Sequence, residues 1–375
     1  MKKSAVYILL NLLACFAAAF ALSTWTLPDL GDSNLLPVLM SFCGLALPLP
    51  LGVLADKFNH NAAVTAAGCL VISLAFAFDG MSIPVAALSG LGIALLQAGT
   101  AAEILGVWPE RITPVGLFMG GSLLGFALGM YAGGPAKEIS YAAPLFSLFL
   151  FTVLFVIFNY KTNPQFVSEN PDFKLTKIPK KAFIALILIS AAAALHLYVK
   201  ITTSEALWLN SYRLYAAFAG AFGLALGAFL ADRFGLMKTT LFSTLSAALL
   251  FMFFDKPLCG LLALLAFHCT VPVLVWVCGK LWKDKRAASF GVFSLGAFFG
   301  ALPLCFGWRP LTSHTVCAAV FLGCAYAALR LAYDMLHPID QTSPKAMQTA
   351  IIERHNPLKV AAKEKEPLPP EQPES

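Results

Sequence analysis

Long runs of apolar residues, separated by short polar breaks, follow one another along most of this chain. We count twelve, each close to the roughly 20 residues that a helix needs to cross a hydrocarbon layer about 30 Å thick. A single aqueous core cannot absorb so many runs, since 59% of the 375 residues are hydrophobic and only 12% are charged. Soluble domains carry about 25% charged residues. We therefore predict an all-α polytopic membrane protein.

The runs define twelve predicted transmembrane helices in two six-helix halves. Their approximate ranges are 5–22, 35–54, 62–77, 84–107, 115–132, 142–158, 182–199, 206–230, 240–254, 258–279, 287–306 and 315–335. The longest polar stretch between runs, 159–181, holds five lysines and three prolines. We expect an N-terminal half at 1–158, a cytoplasmic linker at 159–181, a C-terminal half at 182–336 and a disordered cytoplasmic tail at 337–375, because the tail is polar and rich in Pro, Glu and Lys.

The placement of lysine and arginine orients these spans. With a cytoplasmic N-terminus, 20 of the 26 lysines and arginines fall on the cytoplasmic side, and four fall outside, at Lys137, Lys200, Lys256 and Arg309. Basic residues concentrate in cytoplasmic loops, so we expect both termini in the cytoplasm and the chain in a cytoplasmic (inner) membrane. The same asymmetry accounts for the net charge of +6, and we expect no nucleic-acid partner.

A duplication runs through the chain. Residues 54–58, Leu-Ala-Asp-Lys-Phe, return 176 positions later as Leu-Ala-Asp-Arg-Phe at 230–234. Glycines of the fifth run recur in the eleventh, as Gly116, Gly121 and Gly125 do 175 positions later at 291, 296 and 300. Internal repeats indicate copies of one structural unit. Because each half has an even number of spans, the two copies are predicted to be parallel repeats about an axis along the membrane normal.

The loop around Asp56 resembles a family signature. Residues 52–58, Gly-Val-Leu-Ala-Asp-Lys-Phe, resemble the loop between the second and third helices of the major facilitator superfamily, a family of twelve-helix secondary transporters. This chain has Asn59 where the family's second glycine stands, and the second copy has Ala228 at the first glycine's place while keeping Gly235. Pro-Glu-Arg at 109–111 resembles the family's loop between helices four and five.

The resemblance implies that these loops gate the cytoplasmic side. Asp56 would meet the start of the eleventh helix near Ser289, and Asp232 the start of the fifth near Thr113, because a carboxylate is stabilised at the positive end of a helix. Lys57 and Arg233 would complete ionic pairs with Glu110 and Asp284. The other interpretation is ordinary interfacial charge. The implied gating residues are Gly52, Asp56, Lys57, Glu110, Arg111, Asp232, Arg233, Asp284 and Arg286.

Glycines at four-residue spacing mark the fifth and eleventh spans. Small residues on one stripe let helices approach closely in lipid, so we assign the stripe to helix packing. It also resembles the fifth-helix motif of the family's exporters, without that motif's prolines. The predicted packing residues are Gly121, Gly125, Gly129, Gly296 and Gly300.

Polar residues inside spans are candidates for a substrate cavity, because they are costly in hydrocarbon. His196 and Lys200 share a helical face with a predicted outward position, and with Arg213 they form a basic vestibule suited to an anion. Each candidate has an alternative interpretation. Lys200 and Arg213 would then snorkel to the lipid headgroups. His268 would be a hydrogen-bonded core residue or would handle protons, and Gln97 would hold neighbouring helices together. The candidates are Gln97, Thr100, His196, Trp208, Arg213 and His268.

These features favour secondary active or facilitative transport of a small solute by alternating access, with efflux of an organic solute or drug ahead of uptake. The alternative is a non-transporting membrane partner or sensor on a transporter scaffold. No phosphate-binding Gly-rich motif or catalytic set is present, so we expect no enzyme, no cofactor and no metal. We expect a monomer in the lipid bilayer, with a proton or other ion as an optional coupling partner.

Overall fold

The structure is a computed structural model of the 375-residue chain. It describes residues 2–25, 35–58, 60–78, 81–133, 148, 152, 179–203, 206–282, 285–306 and 314–336. Apart from residues 148 and 152, the predicted sixth span lies outside these residues, as do most of the linker and the polar tail. The domain boundaries therefore stay predictions.

The described residues form thirteen α-helices and one π-helical turn. They are α1 (Lys2–Trp25), α2 (Leu35–Ser41), the π turn (Phe42–Ala46), α3 (Pro48–Phe58), α4 (Asn61–Ala75), α5 (Ser82–Val107), α6 (Thr113–Gly133), α7 (Lys180–Thr203), α8 (Leu207–Phe234), α9 (Leu236–Phe251), α10 (Pro257–His268), α11 (Val271–Leu281), α12 (Arg286–Cys305) and α13 (His314–Leu336).

The helical multi-pass class predicted from the sequence is confirmed. Eleven of the twelve predicted spans overlap these helices, with α2, the π turn and α3 sharing one span and α10 and α11 another. Within the described residues, eight segments are long and apolar enough to cross a membrane, while α4 and α9 are shorter apolar helices. The count of twelve spans and the division into two repeats stay predictions.

Contacts between α3 and α12, and between α6 and α8, join the two predicted halves crosswise. Within the first half α1 packs on α6 and α4 on α5, and within the second α7 packs on α12 and α13. The largest buried cluster draws on both halves and includes Leu10, Ile104, Phe118, Ile189 and Val273. We call the end of the bundle that holds Asp56 and Asp232 the Asp56 end.

Two of the predicted spans are interrupted near their middle. Pro272 has no N–H to donate to the His268 carbonyl, and α10 stops at His268 while α11 starts at Val271. Pro48 likewise cannot donate to Gly44, and the preceding turn is π-helical, with Leu47 N donating to Phe42 O at 3.3 Å. Turns of this kind concentrate at functional sites.

Glycines set the distance between α1 and α6. A Cβ atom at Gly125 would overlap the carbonyl of Leu12, and one at Gly129 would overlap that of Phe16. The second half repeats the arrangement, since a Cβ at Gly296 or Gly300 would overlap backbone of α7. These glycines therefore allow helix backbones to touch, which is how helices gain packing energy where no water drives them together.

We predict that Gly125→Ala lowers the free energy of unfolding by about 1–3 kcal/mol, because the added methyl group pushes α6 away from α1. Thermal unfolding of purified protein in detergent, followed by tryptophan fluorescence, measures the change. Gly121→Ala is the graded comparison, since its Cβ would lie at an ordinary 3.5 Å from Ile8 O.

Gly323→Ala in α13 is the matched control, because a Cβ there meets nothing within 4 Å. It should leave stability unchanged or raise it, as alanine favours a helix over glycine. Equal losses for Gly125→Ala and Gly323→Ala would contradict the packing explanation.

Candidate functional site

A cavity of about 420 Å³ lies between helices of both predicted halves. We call it the central cavity. Its wall is mostly apolar, with Met40, Ile93, Met119, Phe126 and Phe293 among the residues that line it. The polar side chains on the wall are Cys15, Ser41, Gln97, Ser122, His196, Lys200 and His268. None of the residues that the structure places on the wall is a carboxylate.

The Nε2 atom of His196, on α7, contacts polar groups of the interrupted span that holds α10 and α11. Its Nε2 lies 3.0 Å from the Phe267 carbonyl and 3.0 Å from the Thr270 hydroxyl. The ring stacks on Phe267 with 3.9 Å between ring centroids. His196 therefore connects α7 to the gap between α10 and α11. These contacts fix the position of its side chain, which lines the cavity.

His268 has a buried ring nitrogen without a partner among the described residues. Its Nδ1 lies 2.7 Å from the Leu264 carbonyl, one turn earlier in α10. Its Nε2 is buried and makes no hydrogen bond within the described residues. The residue is 5% exposed and lines the central cavity. A buried polar atom without a partner is uncommon and suggests a ligand or an ordered water.

Lys200 and Gln97 complete the polar wall. Lys200 lies one turn after His196 on α7 and lines the central cavity, half-buried. Among the described residues no carboxylate lies within 4.0 Å of its ammonium group. Gln97, half-buried on α5, lines the cavity from the other half. The structure thus brings together His196, Lys200, His268 and Gln97.

Three of the predicted candidates lie outside the lining of the cavity. Thr100 is fully buried and its hydroxyl donates to the Leu96 carbonyl in its own helix at 2.6 Å. The Trp208 indole donates to the Phe254 carbonyl at 2.7 Å, which anchors the start of α8 to the α9–α10 connection. Arg213 is exposed next to Tyr212, whose φ of −118° interrupts the helical geometry of α8.

A polar contact on α1 escaped the sequence reasoning. Asn11 is fully buried, and its amide donates to the Phe118 carbonyl at 3.0 Å and to the Ser122 hydroxyl. Cys15 lies one turn later, and its Sγ is 3.7 Å from the side-chain Oδ1 of Asn11. Ser122 and Cys15 line the cavity, so Asn11 supports its polar part. A lone amide within an apolar run was the available signal.

At the Asp56 end, the carboxylate of Asp56 lies at the start of α12. Its two oxygens accept hydrogen bonds from the backbone N–H groups of Ala287, at 3.1 Å, and Ala288, at 2.9 Å. A Cβ atom at Gly52 would overlap the Ala287 backbone, so the glycine allows α3 to approach α12 this closely. The first N–H groups of a helix lack partners within the helix, and an anion stabilises them.

The second copy of the loop makes the corresponding contact on α6. The Asp232 carboxylate accepts hydrogen bonds from Ile112 N at 2.8 Å, Thr113 N at 2.9 Å and the Thr113 hydroxyl at 2.6 Å. Asp232 is exposed, whereas Asp56 is half-buried. Each predicted half therefore places one aspartate on a helix start of the other half.

The structure also describes contacts of the remaining charged residues of the loops. Glu110 pairs with Lys280 at 2.6 Å, and the glutamate side chain is 82% exposed. The Arg286 guanidinium lies against Gly106, in the last turn of α5. Arg111 and Arg233 lie over the rings of Trp108 and Phe234, each 5.9 Å from the centroid.

Lys57 and Asp284 complete the set of implied gating residues. Lys57 lies in the last turn of α3 and its side chain is exposed. Asp284 lies outside the described residues. Within the described part of the chain, no group of three or more histidine, cysteine or acidic residues has a geometry that would hold a metal ion.

No family model and no curated protein sequence matches the chain. Solved structures do. A variant of the Escherichia coli fucose:proton symporter FucP matches with a TM-score of 0.62 and 14% identity over 88% of this chain and 98% of that chain. FucP in the outward conformation matches with a TM-score of 0.60 and 14% identity over 87% and 98%. The human organic anion transporter MFSD10 (TETRAN) matches with a TM-score of 0.61 and 14% identity, over 88% and 98%.

A bacterial homologue of the iron transporter ferroportin, in an outward-facing state, matches with a TM-score of 0.56 and 13% identity over 90% of this chain and 99% of that chain. All these likenesses run over almost the whole length of the solved transporters. The chain therefore has the fold of the major facilitator superfamily, as the loop around Asp56 indicated.

Proposed function

We propose that this protein is a secondary transporter that carries a small solute across a cytoplasmic membrane by alternating access. The observation that carries the proposal is the reciprocal pair of contacts at the Asp56 end, where Asp56 binds the start of α12 and Asp232 the start of α6. These contacts join the halves on one side of the central cavity. Breaking them is the step that would open the cavity toward that side.

The charge distribution supports a cytoplasmic location for the Asp56 end, since most lysines and arginines fall on that side of the predicted topology. In the proposal, both termini are cytoplasmic and the described state is closed toward the cytoplasm. Two of the solved structures that share the fold, those of FucP and of the bacterial ferroportin homologue, are in outward states. Their likeness to this chain agrees with the assignment.

The energetics of the two aspartate contacts suit a reversible gate. A carboxylate at a helix N-terminus contributes about 0.3–2 kcal/mol, depending on burial. Two such contacts amount to a few kcal/mol, which is the scale that separates conformers populated in the same protein. A much stronger tie would lock the halves together, and a much weaker one would not bias them.

Export of an organic solute is the proposed direction, supported by the glycine stripe of α6 that resembles the exporters of the family. Two of the similar structures are a fucose:proton symporter and an organic anion transporter, and the third is a bacterial homologue of an iron transporter. The cargo of this chain is small enough for a cavity of about 420 Å³. If a proton accompanies it, the proposed acceptor is Nε2 of the lining residue His268, an atom without a partner among the described residues. We propose a monomer.

A second candidate is a non-transporting membrane partner or sensor on the same scaffold. The departures at Asn59 and Ala228 from the loop signature favour it. The two candidates differ in motion: a transporter opens and closes its two ends alternately, whereas a scaffold holds one arrangement.

We predict that Asp56→Asn shifts the conformational equilibrium roughly tenfold toward a state open at the Asp56 end, since it removes a charge from the α12 N-terminus. The measurement is the distance distribution between spin labels at His60 and Lys238, exposed positions near the Asp56 end in opposite halves, in a cysteine-free background. A pair at Met81 and Lys256, exposed at the opposite end, should move in the reverse sense.

Asp255→Asn serves as the matched control, because Asp255 is exposed near Lys256 and away from the α6 and α12 starts. It should leave both distances unchanged. Identical distance distributions for the unmodified protein and Asp56→Asn at both ends would favour the static scaffold and remove the gating role.

We predict that Glu110→Gln changes the same distance distribution by less than Asp56→Asn does. The Glu110–Lys280 pair is short, but the glutamate is 82% exposed, and exposed ion pairs contribute about 0–1 kcal/mol. Raising the salt concentration should reduce the effect of Glu110→Gln further. A larger shift from Glu110→Gln than from Asp56→Asn would assign the gate to the ion pair.

A further inference from the structure

We propose that the central cavity binds an organic anion with an apolar body and a hydroxyl group, with Lys200 as its counter-ion and His268 Nε2 as the acceptor for its hydroxyl. The inference rests on the proposed function for the role of this ligand as cargo. The chemical class of the ligand is inferred from the residues of the cavity wall alone, and a direct binding experiment tests it.

The charge of the wall selects an anion. Lys200 lines the cavity, and no carboxylate lines it in the part of the chain that the structure describes. Two ion pairs among the described residues are Lys280–Glu110 and Arg330–Asp334, and neither involves Lys200. A charge in a low-dielectric site needs a partner. A ligand anion supplies that partner, whereas a cationic ligand would meet Lys200 with no acidic group to offset it.

The state of the His268 ring selects a hydrogen-bond donor. The Leu264 carbonyl can only accept, so the Nδ1 atom 2.7 Å from it carries the proton. In the neutral ring the other nitrogen, Nε2, then presents a lone pair. This atom is buried and has no partner among the described residues, and His268 is one of the residues that line the cavity. A ligand hydroxyl would satisfy it, which gives the cavity a second point of recognition.

The Nε2 atom of His196 is not the acceptor, although His196 lines the same wall. It is already within 3.0 Å of both the Phe267 carbonyl and the Thr270 hydroxyl. The residues at the gap between α10 and α11 therefore engage His196 Nε2, whereas His268 Nε2 has no partner among the described residues.

The rest of the wall selects an apolar body. Met40, Ile93, Met119, Phe126 and Phe293 line the cavity, and its volume of about 420 Å³ lies in the range of sites for drug-sized molecules. A ligand with many hydroxyls, such as a free sugar, would leave most of them against apolar side chains. An arylalkanoic acid with one hydroxyl matches the wall group for group.

The test is a set of probes that differ by one group, applied to the purified full-length protein. The base probe is 3-phenylpropionate. Its hydroxylated forms are 3-phenyllactate and the 2-, 3- and 4-hydroxyphenyl isomers; 3-phenylpropan-1-ol removes the charge, and 3-phenylpropylamine inverts it. We expect at least one hydroxylated acid to bind at least tenfold more tightly than 3-phenylpropionate. We also expect both the alcohol and the amine to bind at least tenfold more weakly than 3-phenylpropionate, from which each differs only in the group that carries the charge.

Variants assign the two preferences to their residues. Lys200→Met keeps the apolar stem and should abolish the preference for acid over alcohol, while His268→Phe keeps a ring and should abolish the preference for the hydroxylated acid. Lys256→Met is the control, since Lys256 is exposed and outside the cavity lining, and it should retain both preferences. Should a variant fail to fold, the probe series on the unmodified protein still decides.

The inference is overturned if the amine binds as tightly as the acids, if hydroxylation gives no gain in any isomer, or if no acid binds at 10 mM. Such a result leaves the proposed transport untouched when the spin-label distances still alternate between the two ends. Selective anion binding with static distances would instead retain the ligand class and remove transport, which identifies a sensor.

Discussion

A hydrocarbon layer offers no partner for backbone N–H and C=O groups, and this requirement determines most of the architecture described here. The described spans are helical, so most of their backbone groups pair within their own helix. Because lipid gives helices no hydrophobic reason to associate, they meet where side chains are smallest, at Gly125 and Gly129 against α1 and at Gly300 against α7. Where a helix is broken, at the π turn and between α10 and α11, the break borders the central cavity.

The two halves meet in a way that combines this packing with electrostatics. Gly52 lets α3 approach α12, and the same approach brings Asp56 to the Ala287 and Ala288 N–H groups. Asp232 does the same for the start of α6, while the Trp276 indole donates to the Pro109 carbonyl at 3.0 Å across the same interface. Such contacts depend on backbone dipoles more than on side-chain pairs, so they are specific in geometry and modest in energy.

The sequence predicted the helical class and eleven span positions, because apolar run length is a direct consequence of membrane thickness. Through a family resemblance, the sequence also predicted that Asp56 and Asp232 contact the starts of α12 and α6, where the structure places them. It could not choose among many basic partners for Glu110, and the structure pairs this residue with Lys280. It did not separate Gln97 from Thr100, since only the fold decides which face of α5 borders the cavity. Pro272 and Asn11 were readable signals of the broken span and of the polar contact on α1, and both were passed over.

Gly235 joins α8 to α9 by a single residue. Its φ of 96° is a conformation that other residues adopt only with strain. Its N–H donates to the Ala231 carbonyl at 3.0 Å, and its own carbonyl accepts from Thr239 at 3.1 Å, so both helices are hydrogen-bonded up to the turn itself. Only one residue therefore separates the two helices. In the proposed gate, a rotation of α8 that moves Asp232 away from α6 would also displace the start of α9, so the position of this short helix would follow the state of the gate.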